Sequence, residues 1–168
     1  HPSDITSSMQ PILANVQAGP SKGGNEFIDV DEALGYEYPE ATSSYDERDL
    51  AIYALGVGAA SDPLDDKGLQ VVYEMHSDGF KALPTYAVIP ALNAIMEAGK
   101  KGIQAPGMNY GFDRILHGEQ YTELKRPLPR SAKLTHRTKV KDIFDKGKNA
   151  LVISETRSYD ENGDELMV

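Results

Sequence analysis

The sequence predicts an α+β domain in which a curved antiparallel sheet wraps a central helix. Three observations predict it: an apolar helical segment with few charges around residues 83–99, a run of alternating β-rich stretches after residue 109, and short turns between those stretches. The chain has 168 residues, 40% of them hydrophobic and 26% charged, which suits one domain with a single core. It contains no cysteine, so a disulfide scaffold, a thiolate nucleophile and a zinc finger are excluded. A net charge of -9 argues against a protein that coats nucleic acid or an anionic membrane. No stretch approaches the roughly 20 apolar residues needed to span a bilayer.

Residues 1–44 read as a linker and N-terminal extension. They hold a short helical pattern over Ile5–Val16, interrupted by Pro11, and then the run Gly19-Pro20-Ser21-Lys22-Gly23-Gly24-Asn25. His1 stands where an open reading frame would place Met, which points to an excised piece. The domain proper is expected over 45–168.

Ser44-Tyr45-Asp46-Glu47 has the spacing of a capping box, so a helix is predicted to begin there, with Leu50, Tyr53, Ala54 and Val57 on its apolar face. Leu69–Glu74 is apolar and β-branched and predicts a strand ahead of the polar turn His76–Gly79. Pro84 suits the first turn of the next helix, which carries Val88, Leu92, Ile95 and Met96 and ends near Gly99; Pro90 predicts a kink. So few charges on any face predict that this helix is buried. The main strands are expected over about Ile115–Lys125, Leu134–Phe144 and Asn149–Tyr159, with turns at Asp145–Lys148 and Glu161–Asp164. A return strand of similar length should follow the last turn, yet only Glu165–Val168 remain, so the chain is expected to end inside its last strand. A helix inside a run of antiparallel strands is the hot-dog architecture. A ferredoxin-like sandwich would need a second long helix between the late strands, and the turns leave none.

Charge divides the chain. Asp29–Asp66 is acidic, whereas Lys125–Lys148 is basic and reads either as a solvated strand face or as a docking site for a phosphorylated ligand.

Six segments in order carry a family resemblance: Tyr53-Ala54-Leu55-Gly56-Val57-Gly58-Ala59, Leu83-Pro84-Thr85-Tyr86, Leu116-His117-Gly118-Glu119-Gln120-Tyr121, Arg126-Pro127-Leu128-Pro129, Asp145-Lys146-Gly147 and Thr156-Arg157-Ser158-Tyr159. Together they resemble the N-terminal half of the (R)-specific 2-enoyl-CoA hydratase 2 family, MaoC-like dehydratases found alone or inside a peroxisomal multifunctional enzyme. The resemblance covers about residues 45–168. It implies a double hot-dog that hydrates trans-2-enoyl-CoA to (3R)-3-hydroxyacyl-CoA in peroxisomal fatty-acid β-oxidation. It also implies an acyl-CoA thioester as substrate, a C-terminal catalytic hot-dog as partner, a dimer of double hot-dogs when intact, and no cofactor.

In that family a Gly-Asp-x-Asn-Pro-x-His motif of the C-terminal half supplies the acid and base. Here Gly163-Asp164 is followed by Glu165-Leu166-Met167, without the Asn, Pro and His, so no catalytic residue is assigned and the chain alone is expected to be inactive. The resemblance implies substrate contacts at His117, Gly118 and Lys146. Glycine lets a thin pantetheine or acyl moiety approach the backbone, and a turn ammonium can meet a phosphate. Read without the family, His117 is equally a histidine hydrogen-bonded at a strand start, and Lys146 a solvated turn lysine. Tyr86, Val88, Leu92, Ile95 and Met96 read either as ordinary core or as the wall of an acyl tunnel.

His1, His76 and His136 read as surface residues, and no pair of histidines has metal-ligand spacing. Ser7, Ser8, Ser43 and Ser44 lie in linker or cap contexts, without the tight turn of a nucleophilic serine. Asp46-Glu47-Asp49 and Asp65-Asp66 read as a helix start and a turn rather than a metal site. Two rivals remain: a non-catalytic acyl-CoA binding or assembly hot-dog, and a homodimeric thioesterase, the latter without an acid or nucleophile at a thioesterase position.

Overall fold

The computed structural model describes residues 24–168; the Ile5–Val16 helical pattern and His1 lie outside them. Among the described residues, four short or medium helices and four strands follow in the order α1 (Val30–Ala33), β1 (Ala41–Tyr45), α2 (Glu47–Gly56), α3 (Asp66–Leu69), α4 (Val88–Lys100), β2 (Ala132–Asp145), β3 (Ala150–Tyr159) and β4 (Glu165–Met167). A 3-10 turn over Pro84–Ala87 leads into α4. The strands form one sheet in the order β1-β2-β3-β4. This is the α+β class expected. Among the described residues no helix is long and apolar enough to cross a membrane.

The described residues fall into two compact units. The larger comprises Glu37–Gln104, Leu116–Lys139 and Glu155–Val168. Its core is Tyr45, Leu50, Ala51, Phe80, Tyr86, Ala87, Leu134, Leu166 and Met167. The smaller comprises residues 24–36 together with Ala105–Ile115 and Val140–Ser154. There Ala33, Ala105, Met108, Val140 and Ile143 are buried.

Helix α2 forms where a cap was expected, but with different residues. Asp46, in extended conformation, accepts from the amides of Arg48 and Asp49, and the Asp49 carboxylate accepts from the amide of Asp46. Ser44 is unavailable for that role because it belongs to β1, opposite Lys133. Leu50 and Ala54 face the core as predicted and Ala51 joins them, while Val57 is exposed. Replacing Asp46 by alanine is expected to cost about 1 kcal/mol of stability in a denaturant titration, the loss of one cap.

Four expectations fail, each for a tertiary or local hydrogen-bonding reason. Leu69–Glu74 is no strand: Asp65 caps α3, and the chain continues in turns closed by Tyr73 N–H to Leu69 O and His76 N–H to Tyr73 O. Ile115–Lys125 narrows to its end. The amides of Glu123 and Lys125 donate to the carbonyls of Val168 and Leu166, whereas residues 115–121 are exposed and unpaired in the sheet. Helix α4 is only half buried. It rests on β1 and includes buried Pro90 and Ala94, but Leu92, Ile95 and Met96 stay 45%, 39% and 36% exposed. Pro90 lies in its first turn, where a missing N–H costs little, and the helix runs on to Lys100. Lastly, part of the stretch read as linker is structured, since α1 and β1 lie within residues 24–45.

Strands β2 and β3 appear as the alternation predicted, with Asp145-Lys146-Gly147-Lys148 between them. The turn Asp160–Asp164 carries the chain into β4, where Leu166 and Met167 are buried. Much of the basic stretch is ion-paired: Arg137 meets Glu40 at 2.7 Å, Arg130 meets Glu47 at 3.2 Å, Lys133 meets Glu161 at 3.7 Å, and Arg126 meets Asp160. Such exposed pairs settle charge more than they stabilise.

Candidate functional site

Within the larger unit, His117 and Gly118 occupy an exposed extended segment. The Gln120 amide donates to Tyr121 O at 3.1 Å and to Thr122 Oγ1 at 3.2 Å, which turns its oxygen toward His117 Nε2 at 3.5 Å. Neighbouring Leu116 is 92% exposed, an unusual position for a leucine in water. A Cβ added to Gly118 would meet nothing within 4 Å, and its backbone does not need the left-handed region. The fold of this chain therefore supplies no internal reason for a glycine there.

The same unit carries the exposed face of α4. Leu92, Ile95 and Met96 stand at i, i+3 and i+4, one apolar stripe, while the other side of the helix rests on β1. Of the five residues read as tunnel or core, Tyr86 is core. Its ring packs edge-on against Tyr45 at 5.2 Å and Tyr53 at 5.4 Å, and burial pushes the Tyr45 and Tyr86 phenols up to about 12. Both stay protonated at neutral pH, and Tyr45 donates to Pro129 O at 3.2 Å.

Lys146 belongs to the smaller unit, in the turn between β2 and β3. Its side chain is exposed and makes no ion pair among the described residues. The structure thus brings His117, Gly118 and Gln120 together in one unit and sets Lys146 in the other.

Two histidines are less exposed than expected. The His76 side chain is largely covered; Nδ1 accepts the Asp78 N–H at 3.2 Å, which leaves Nε2–H to donate to Asp66 at 3.1 Å. His136 is 1% exposed. Its Nε2 lies 2.7 Å from Ser43 Oγ and its Nδ1 2.8 Å from Ser158 Oγ, so one imidazole ties β1, β2 and β3 together. Burial lowers its pKa, and the ring is neutral: one nitrogen donates to a serine and the other accepts from one. A serine beside a histidine invites a nucleophilic reading, but Ser158 is itself 1% exposed and both ring nitrogens are occupied. The signal was present in the sequence, because strand alternation places His136 on the face of Leu134 and Val140. Asp46 and Asp65 act as helix caps, in keeping with the structural reading of the acidic clusters.

A family model described as MFE-2 hydratase 2 N-terminal domain matches residues 43–168. The chain belongs to this family. Enoyl-CoA hydratase 2, peroxisomal, from Arabidopsis thaliana is 41% identical to this hydratase 2 N-terminal domain, covering 82% of it and 44% of its own length. The crystal structure of a MaoC-like dehydratase from Phytophthora capsici matches at TM-score 0.68 and 32% identity, over 83% of this chain and 47% of that one. Full-length peroxisomal multifunctional enzyme type 2 from Drosophila melanogaster matches at TM-score 0.63 and 29% identity, over 99% of this chain and 25% of that one. The hydratase 2 N-terminal domain thus has the hot-dog fold and spans less than half the length of these relatives.

Proposed function

We propose that this chain is the acyl-chain and CoA accommodating half of a 2-enoyl-CoA hydratase 2, and that it hydrates trans-2-enoyl-CoA to (3R)-3-hydroxyacyl-CoA only beside a second, catalytic hot-dog. The observation that carries this reading is membership of the hydratase 2 N-terminal family over 43–168 in a stretch without the Gly-Asp-x-Asn-Pro-x-His motif. Hydration needs a base and an acid within hydrogen-bond range of one water, and donors aimed at the enolate oxygen. The described histidines do not meet that need. His76 and His136 have both ring nitrogens engaged, and His117 faces an amide rather than a carboxylate. Gly163-Asp164 is a hairpin turn in which the Asp164 N–H donates to the Asp160 carboxylate.

His117 and Gly118 then contact the thioester-bearing moiety and Lys146 a CoA phosphate, while the stripe of Leu92, Ile95 and Met96 gives an acyl chain an apolar bed. The working unit is a double hot-dog, two of which form the dimer. Peroxisomal β-oxidation is its setting, in line with the relative named peroxisomal.

The test is hydration of trans-2-decenoyl-CoA, followed by loss of enoyl-thioester absorbance, for the chain alone and with a separately produced C-terminal hot-dog. Activity is expected only in the mixture. Activity of the chain alone would refute the division of labour, and an inactive but folded complex would favour a non-catalytic acyl-CoA binding module.

A further inference from the structure

We propose that Asp145 is the positioning residue of the phosphate-binding turn, holding Lys146 in place and keeping its charge free for the CoA nucleotide. The proposal rests on the reading of Lys146 given above. Strand β2 ends at Asp145 and β3 starts at Ala150. The four residues between are tightly specified. Lys146 N–H donates to Asn149 O at 2.9 Å, Lys148 N–H donates to Lys146 O at 3.0 Å, and Gly147 adopts φ +76, a conformation that disfavours a side chain.

The Asp145 carboxylate braces this turn from both sides. Oδ1 accepts the Gly147 N–H at 2.7 Å, inside the turn, and Oδ2 accepts the Asn25 N–H at 2.9 Å, from a segment 120 residues away in sequence. That second anchor is itself held: Asn25 accepts the Phe27 N–H on its side chain at 2.9 Å and the Ile28 N–H on its carbonyl at 3.2 Å. The approach is close, since a Cβ on Gly24 would lie 3.0 Å from Asp145 Oδ2. The bonds are charge-assisted and fix the carboxylate on two amides.

The electrostatic consequence follows from where those oxygens point. A carboxylate next in sequence to a lysine would ordinarily be available to pair with it. Here both oxygens are engaged by backbone N–H groups, and no ion pair joins Asp145 to Lys146 or Lys148. Along the same basic stretch Lys125, Arg126, Arg130, Lys133, Arg137 and Lys139 all meet acids. Lys146 and Lys148 are exposed and have no ion-pair partner among the described residues. A rigid turn carrying ammonium groups binds a phosphate without first having to order its backbone.

The test uses the chain complexed with its C-terminal catalytic half and three trans-2-enoyl thioesters: of CoA, of dephospho-CoA and of pantetheine. Asp145→Ala is expected to lower kcat/KM about tenfold on the CoA thioester through KM, and to leave kcat and the pantetheine thioester unchanged. Asp145→Asn keeps one acceptor and should fall between wild type and alanine. A loss shared by the dephospho-CoA thioester assigns the diphosphate; a loss confined to CoA assigns the 3′-phosphate. Equal losses on the CoA and pantetheine thioesters, or a fall in kcat, would overturn the proposal as a merely structural effect. Lys146→Ala separates the two readings. If it lowers kcat/KM on CoA while both Asp145 variants behave as wild type, the positioning role fails and the Lys146 contact stands; if Lys146→Ala is silent, the contact itself fails.

Discussion

Replacing His136 by alanine is expected to lower the unfolding free energy by about 3 kcal/mol, read as a shifted midpoint in a denaturant titration. Two effects add. Truncation leaves a cavity at a site that is 1% exposed, and it strips half-buried Ser43 and buried Ser158 of their shared partner. Ser158→Ala alone should cost about 1 kcal/mol, because it removes one hydrogen bond and little volume. A loss below about 1 kcal/mol for the alanine variant of His136 would show that the three strands do not depend on this imidazole.

The same residue predicts how stability varies with pH. Burial lowers the His136 pKa in the folded chain, so the unfolded chain takes up the proton first as pH falls. Its contribution is therefore fully present above the unfolded value, about 6.5, and is lost as pH drops below it toward the folded value. His136→Gln keeps a donor and an acceptor but cannot titrate. Its stability should fall less than that of the wild type between pH 7.5 and 5, and parallel curves would refute the assignment.

Leu166→Ala is expected to have an effect of similar size, about 3 kcal/mol, although its strand has only three residues. Leu166 is fully buried in the core with Met167 and Leu134. Its carbonyl also accepts the Lys125 N–H at 2.9 Å, and Val168 exchanges two bonds with Glu123, at 2.8 and 3.0 Å. Losing the side chain should loosen this segment first. Hydrogen exchange is expected to quicken at Glu123, Lys125 and Val168 before it does in α4. Leu151→Ala, at a position 38% exposed, serves as control and should cost well under the Leu166 value. Equal losses for the two leucines would contradict the burial assignment.

Much of the fold was legible because the relevant information is local. An acidic cluster before an apolar helical face announces α2, even though the cap moved from Ser44 to Asp46 once Ser44 was taken by β1. Alternation announces β2 and β3, and the Gly147 and Gly163 turns between and after them both use positive φ. The candidate site was legible only in part. Lys146 could be placed in its turn, and His117 and Gly118 in their segment, from motif alone. The brace from Asp145 to Asn25 could not, because nothing in either short stretch records that residues 120 apart meet.

Sequence by itself determined the α+β class, the presence of α2 and α4, the long strands β2 and β3, the turns after them and the hydratase 2 family of this chain. Those features depend on side chains within a few residues of one another, or on ordered motifs. Tertiary structure alone decided which surfaces are covered. It left Leu92, Ile95 and Met96 exposed on a helix that looked buried, and gave residues 123–125 but not 115–121 a partner strand. Burial and strand pairing depend on which distant segment arrives, and an apolar or alternating stretch is compatible with several arrivals until the whole chain has chosen one.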